Sequence, residues 1–149
     1  FKKKNISQER IIFSKPISVD EHLVRIKFAD LFLDTFPYNA HTTCSDSIWA
    51  GVPVLTKRGK SFHSRVATSL LKTSGLEELI TYSNKEYIDK AVQIANDENY
   101  LKSLKQKLIS SKDTNPLFDS ESYTKKLEQV YEIVFKRHFS DQNPEDIYL

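Results

Sequence analysis

Apolar and polar positions change rhythm near residue 82 of this 149-residue chain. Before that point, short apolar runs alternate with helical stretches. "RIIFS" (10–14) is β-branched and aromatic and stops at Lys15 and Pro16, which predicts a strand. In "SVDEHLVRIKFAD", Ser18 or Asp20 can cap a short helix with Leu23, Ile26 and Phe28 on its apolar face and Asp30 at its close. "LFLDT" (31–35) predicts a second, buried strand, and Pro37, Tyr38 and Asn39 a turn after it. A helix from about Thr43 to Ala50 then ends at Gly51, a residue suited to the position after a helix. "VPVLT" (52–56) is a third strand, "KRGKSFH" (57–63) a loop, and "SRVATSLLKTSG" (64–75) a helix ending in a second glycine. "LEELIT" (76–81) reads as a helical turn running into an edge strand.

Beyond residue 82 the spacing is helical throughout. Segments 84–97 and 98–111 are amphipathic, "DTNPLFDSES" interrupts them, and 123–139 forms a last long helix. Its stripe is Tyr123, Leu127, Val130, Tyr131, Val134, Phe135 and His138. The final ten residues are polar and expected to fray. Strands alternating with helices imply an α/β fold, a partial Rossmann-like parallel sheet with flanking helices. The expected organisation is a truncated lobe over 1–82, its helical completion over 83–139, and a tail over 140–149.

Composition narrows the function classes. The chain is 39% hydrophobic, enough for a core at this length. Its 22 Lys+Arg nearly balance 20 Asp+Glu, so net charge argues for neither a nucleic acid nor an acidic membrane surface. The single cysteine, Cys44, excludes an internal disulfide and suits a reducing, cytoplasmic setting. No apolar run approaches the ~20 residues of a membrane-spanning helix. The basic amino terminus lacks both a signal-peptide core and an initiator Met, and the chain is expected to be a piece of a longer protein.

Parallel α/β sheets bind ligands at the carboxyl ends of their strands. "YNAHTTCSD" (38–46) lies there, after "LFLDT" and at the start of a helix. Without a ligand, Thr43 and Asp46 make sense as a variant capping box, Thr-x-x-Asp. With one, the free N–H groups of the helix start and the hydroxyls of Thr42 and Thr43 form an anion site for a phosphate or diphosphate. His41 can donate to the same anion, and Asp46, one turn inside, suits a sugar hydroxyl. His22 and Arg25 share a face of the preceding helix and can hold a nucleobase. The alternative there is a Glu21–Arg25 ion pair on a solvated face. The four histidines and Cys44 have no metal-ligand spacing, and three glycines supply no phosphate-binding glycine loop. Cys44 with nearby His41 is weak evidence for a thiol nucleophile. Lys57, Arg58 and Lys60 form a basic loop, solvated or near a phosphate or an acceptor.

"DTFPYNAHTTCSDSIWAGVPVLT", followed by "SRVATSLL", "GLEELI", "EYIDKAVQIAND", "NPLFD" and "YTKKLEQVY", resembles the carboxyl-terminal catalytic part of the O-GlcNAc transferase and SPINDLY group over nearly the whole chain. The resemblance implies the carboxyl-terminal lobe of a GT-B glycosyltransferase, with a helical extension. It implies that the backbone of Ile17 with His22 and Arg25 meets uracil, that His41, Thr42 and Thr43 meet the diphosphate and sugar, and that Asp46 meets the ribose. "HTT" favours UDP-GlcNAc; the O-fucosyltransferase branch usually carries "GTTT" and uses GDP-fucose. The chain departs from the group at Val19, where many animal members have a ribose-holding lysine, and at Cys44, where a small residue is usual.

The implied reaction is inverting transfer of GlcNAc from UDP-GlcNAc to Ser or Thr hydroxyls of proteins, without a metal or other cofactor. The first strand of the lobe, the amino-terminal lobe and the tetratricopeptide repeats that recruit acceptors are expected upstream. The chain would then hold donor-binding groups but no catalytic residue, and be inactive alone. The final helix, which crosses onto the other lobe in GT-B folds, would leave the isolated chain prone to self-association. The alternatives are a GDP-fucose enzyme and a non-catalytic nucleotide-binding or interaction module.

Overall fold

A computed structural model describes residues 6–149. Helix α1 (Val19–Ile26) leads to strand β1 (Phe32–Leu33), α2 (Thr42–Trp49), β2 (Val54–Lys57), α3 (Val66–Thr73) and β3 (Ile80–Thr81). Three further helices follow: α4 (Asn84–Asn96), α5 (Glu98–Ser111) and α6 (Ser120–Phe139). The sheet is parallel, in the order β1-β2-β3, with Phe32 opposite Val54, Leu33 opposite Leu55, Thr56 opposite Ile80 and Lys57 opposite Thr81. The order follows from the sequence pattern. "VPVLT" is a continuous apolar run, the mark of a strand covered on both faces, and it takes the centre. Its Val54, Leu55 and Thr56 are fully buried.

Glycines end the two crossover helices. Gly51 (φ +80°) follows α2 and Gly75 (φ +67°) follows α3, both in the left-handed region that side chains with a Cβ rarely adopt. The core joins Cys44 and Ile48 of α2, Val54 and Leu55 of β2, and Ala67 and Leu71 of α3 to Ile94, Leu104 and Leu108 of α4 and α5. The carboxyl-terminal helices therefore complete the core of the sheet. Each such leucine contributes about 1.5–3 kcal/mol by leaving water.

Several expectations need correction. Segment 10–14 is not a strand. Residues 8–10 form a 3-10 turn that the Ile11 N–H closes on the Gln8 carbonyl, residues 11–14 pair with no strand among the described residues, and Ile12 and Phe13 are 86% and 88% exposed. A β-branched run becomes a strand only beside a partner, and β1 meets only β2. The helix end expected at the amino terminus falls partly on residues 1–5, outside the described residues. Strand β1 is two residues long with Leu33 half exposed, α1 stops at Ile26 before Asp30, and Phe28 faces solvent. Helix α6 begins three residues before Tyr123, at Ser120, because Asp119 caps it through the Ser122 N–H. In the tail, residues 142–149 take no regular structure, and Arg137 of α6 bonds the Asn143 carbonyl and pairs with Glu145.

Candidate functional site

Immediately after β1 the chain turns a carboxylate inward. Asp34 is 2% exposed; its Oδ1 accepts the Ala40 N–H at 2.7 Å and its Oδ2 the Thr56 hydroxyl at 2.6 Å. The Asp34 carbonyl accepts from the Tyr87 hydroxyl of α4 at 2.8 Å. Buried Asn39 donates through Nδ2 to the Thr35 carbonyl at 2.9 Å and through its backbone N–H to the His63 carbonyl at 3.1 Å. The loop leading into α2 is thus bolted to β2, to α4 and to the segment before α3. Burial holds the Asp34 carboxyl above its ordinary range, against the lowering effect of the Thr56 and Ala40 bonds. Sequence reasoning missed Asp34, Asn39 and Tyr87 as the frame of the site. The legible signal was a lone carboxylate ending an apolar run, "LFLD".

Helix α2 starts at Thr42, one residue earlier than the pattern suggested. The His41 carbonyl accepts from the N–H groups of Cys44 and Ser45, which makes His41 the N-cap residue. No side chain caps this end, so the Thr43–Asp46 capping box does not form. Helix geometry leaves the leading amides of Thr42 and Thr43 without an intrahelical partner. Both threonine side chains are exposed, and their carbonyls rather than their hydroxyls serve Ser45 and Ser47. Asp46 is half-buried one turn further in.

His41 is held from several sides. Its ring stacks on Tyr38 (centroids 5.0 Å, planes 19° apart) and meets Phe62 edge-on at 6.3 Å. Its Nε2 lies 3.4 Å from the His63 carbonyl oxygen. Tyr38 also stacks on the His63 ring at 5.1 Å. Tyr38, Phe62 and His63 were not singled out from the sequence, because two of them lie about twenty residues from His41.

The second group sits on α1. Ser18 and Glu21 form a full capping box that starts the helix. Arg25 Nη2 lies 3.0 Å from His22 Nδ1, and Nη1 donates to the Lys15 carbonyl at 2.9 Å. The expected Glu21–Arg25 ion pair is absent, because the Glu21 carboxylate is engaged by the Ser18 hydroxyl and N–H. Arg25 therefore joins His22 to the extended segment that carries half-exposed Ile17. Helix α1 packs on α2, but among the described residues no hydrogen bond links His22 or Arg25 to His41, Thr42, Thr43 or Asp46.

The thiol reading of Cys44 fails. Its side chain is fully buried in the core, and burial pushes the thiol up to about 12, so it holds its proton at neutral pH. Among the described residues no three His, Cys, Asp or Glu side chains converge to hold a metal ion. Among the described residues no helix is long and apolar enough to cross a membrane.

Known proteins resemble this chain in sequence and in fold. The profile of Glycosyl transferase family 41 matches residues 1–127. The chain is 34% identical over 137 residues to a UDP-N-acetylglucosamine--peptide N-acetylglucosaminyltransferase of Caenorhabditis elegans, covering 92% of this chain and 12% of that protein. It is 38% identical to the SEC protein of Arabidopsis thaliana (95% of this chain, 15% of that one) and 35% identical to the SPINDLY protein of Solanum lycopersicum (83% and 13%). It therefore spans only a small part of the length of these relatives. A solved structure of a mutant O-GlcNAc transferase from Thermobaculum terrenum superposes with a TM-score of 0.81 at 32% identity, over 87% of this chain and 25% of that one. With a parallel sheet, flanking helices and this match, the fold is that of the carboxyl-terminal lobe of a GT-B glycosyltransferase. A profile match over most of its length makes this chain a member of glycosyl transferase family 41.

Proposed function

We propose that this chain is the donor-holding part of an enzyme that transfers GlcNAc from UDP-GlcNAc to Ser or Thr hydroxyls of proteins, with inversion. The observation that carries the reading is the uncapped start of α2, where two free amides, two exposed hydroxyls and a fixed imidazole converge at the carboxyl end of β1. Such a helix start attracts a diphosphate. UDP gains charge as it leaves, so the same amides and the hydroxyls of Thr42 and Thr43 serve the transition state more than the ground state. In this reading Asp46 accepts from the ribose, and His22, Arg25 and the Ile17 backbone hold uracil. Phosphate charge is met by amides, hydroxyls and His41 with no metal required of the chain.

The donor in this reading follows the relatives: the nematode protein is a UDP-N-acetylglucosamine--peptide N-acetylglucosaminyltransferase and the Thermobaculum terrenum structure an O-GlcNAc transferase. In this reading the group that takes the acceptor's proton and the surfaces that recruit the acceptor belong to other parts of the parent enzyme, and the single unpaired Cys44 fits a cytoplasmic setting. Titration of UDP and GDP, each followed through backbone amide shifts, tests the donor. The Thr42 and Thr43 amides are expected to move with UDP and not with GDP. Equal or larger shifts with GDP point instead to a GDP-sugar donor, as in the O-fucosyltransferase branch.

A further inference from the structure

Between β2 and α3 the chain carries a basic loop that the donor site does not use. Arg58, Gly59, Lys60 and Arg65 line an open cleft of about 360 Å³, with Tyr82 beside them. No carboxylate among the described residues pairs with Arg58, Lys60 or Arg65. Their neighbour Lys57 is engaged, donating to Asn84 Oδ1 at 2.8 Å. With a net charge of only +2 on the whole chain, three unmatched cations around one cleft are a local feature and not bulk charge.

The loop is held in shape. The Gly59 N–H donates to the Ser64 carbonyl at 2.9 Å, and the Arg58 N–H to the Thr81 carbonyl of β3 at 2.9 Å. A Cβ at position 59 would lie 2.3 Å from Ser64 Oγ, so only glycine lets the loop close this tightly. Ser64 is itself buried and bonded to Ser61. Cations set on a fixed frame lose less freedom on binding than cations on a mobile loop. The same loop supplies the His63 carbonyl that receives the Asn39 N–H and approaches His41. The cleft and the proposed diphosphate seat are therefore adjoining parts of one carboxyl edge of the sheet.

Two guanidinium groups and an ammonium select carboxylates, which guanidinium binds in bidentate fashion, and exposed Tyr82 adds an apolar wall. We propose that this cleft docks an acidic segment of the protein acceptor, one carrying Asp or Glu side chains beside the Ser or Thr to be modified. The proposal rests on the glycosyltransferase reading above. The donor diphosphate has its own seat at α2 and leaves this charge unassigned.

Fluorescence anisotropy tests it, with a labelled Glu/Ser peptide, the same peptide with Gln for Glu, and a single-stranded oligonucleotide. The proteins are the wild-type chain, Arg58→Glu/Lys60→Glu, the milder Lys60→Gln, and Lys72→Glu/Lys126→Glu. The last variant makes the same charge change at exposed positions of α3 and α6. Wild type is expected to prefer the acidic peptide by about tenfold or more, weakening as salt rises. The cleft double variant should lose that preference, Lys60→Gln should lose part of it, and the α3/α6 variant should keep it. Saturating UDP should not displace the peptide. Equal loss in the α3/α6 variant, displacement by UDP, or tighter binding of the oligonucleotide would each overturn the proposal. UDP affinity measured on the same samples keeps the two readings apart. UDP binding without peptide preference defeats the dock alone, and peptide preference without UDP binding defeats the donor reading.

Discussion

Asp34 shows how one buried side chain frames the site. Its carboxylate receives the Ala40 N–H and the Thr56 hydroxyl, and its own carbonyl receives Tyr87, so it links the loop into α2 to β2 and α4. Burial raises its pKa above the ordinary 3.8 despite those bonds. The folded chain then holds this proton more tightly than the unfolded chain does. Its contribution to stability is therefore largest below the ordinary value and falls as pH rises through the raised folded value. Asp34→Asn keeps the shape and cannot titrate. Denaturant melts from about pH 3 to 7 should show wild type losing stability relative to Asp34→Asn as pH rises through that window. A pH-independent difference would contradict the assignment. At this scale the sequence was partly legible. His41, Thr42, Thr43 and Asp46 could be placed at a helix start from local spacing alone. Asp34, Asn39 and Tyr87 could not, because each acts through a partner distant in sequence or through burial, which local spacing does not record.

Among the elements, α1 leans on its own cap, since it is only eight residues long and none of them is buried. Ser18 and Glu21 satisfy one another's backbone N–H groups. Ser18→Ala should weaken α1 by about 0.5–2 kcal/mol, seen as faster amide hydrogen exchange over residues 19–26 with the core unaffected. Unchanged exchange would mean that packing on α2, and not the cap, holds the helix. The sequence narrowed this cap to Ser18 or Asp20, and the structure takes Ser18, whose box with Glu21 is local in sequence. The one at α2 was misplaced, because Thr43-x-x-Asp46 reads as a capping box with Thr43 as the N-cap, whereas the backbone turns into the helix two residues earlier, at His41 (φ −110°, ψ −94°). The shift bears on function, since it leaves Thr43 inside the helix with its hydroxyl free of capping duty. "RIIFS" failed for a different reason. Strand propensity describes a residue's fit to a sheet, and no neighbouring strand stands beside it among the described residues.

Across the whole molecule, the sheet and four of its six helices, α2 to α5, are organised by the pattern of apolar runs, which the sequence states openly. Like α1, helix α6 buries no residue, and its Tyr123, Tyr131, Phe135 and Phe139 are each more than 60% exposed. With Ile12 and Phe13 also in solvent, the isolated chain presents apolar surface on two separate segments. Light scattering should show its mean mass rising with concentration. Replacing Tyr131 and Phe135 by Ser should suppress that rise, and a constant monomer mass at all concentrations would contradict it.

The account stands on the start of α2 being a uridine-diphosphate seat. Its most direct test is calorimetric titration of UDP into the folded chain and into Thr42→Ala/Asp46→Ala. The account predicts measurable binding of UDP to the wild-type chain and its loss in the double variant, with the thermal unfolding of both unchanged. UDP binding of equal strength in the two proteins, or none to a folded wild-type chain, would contradict it.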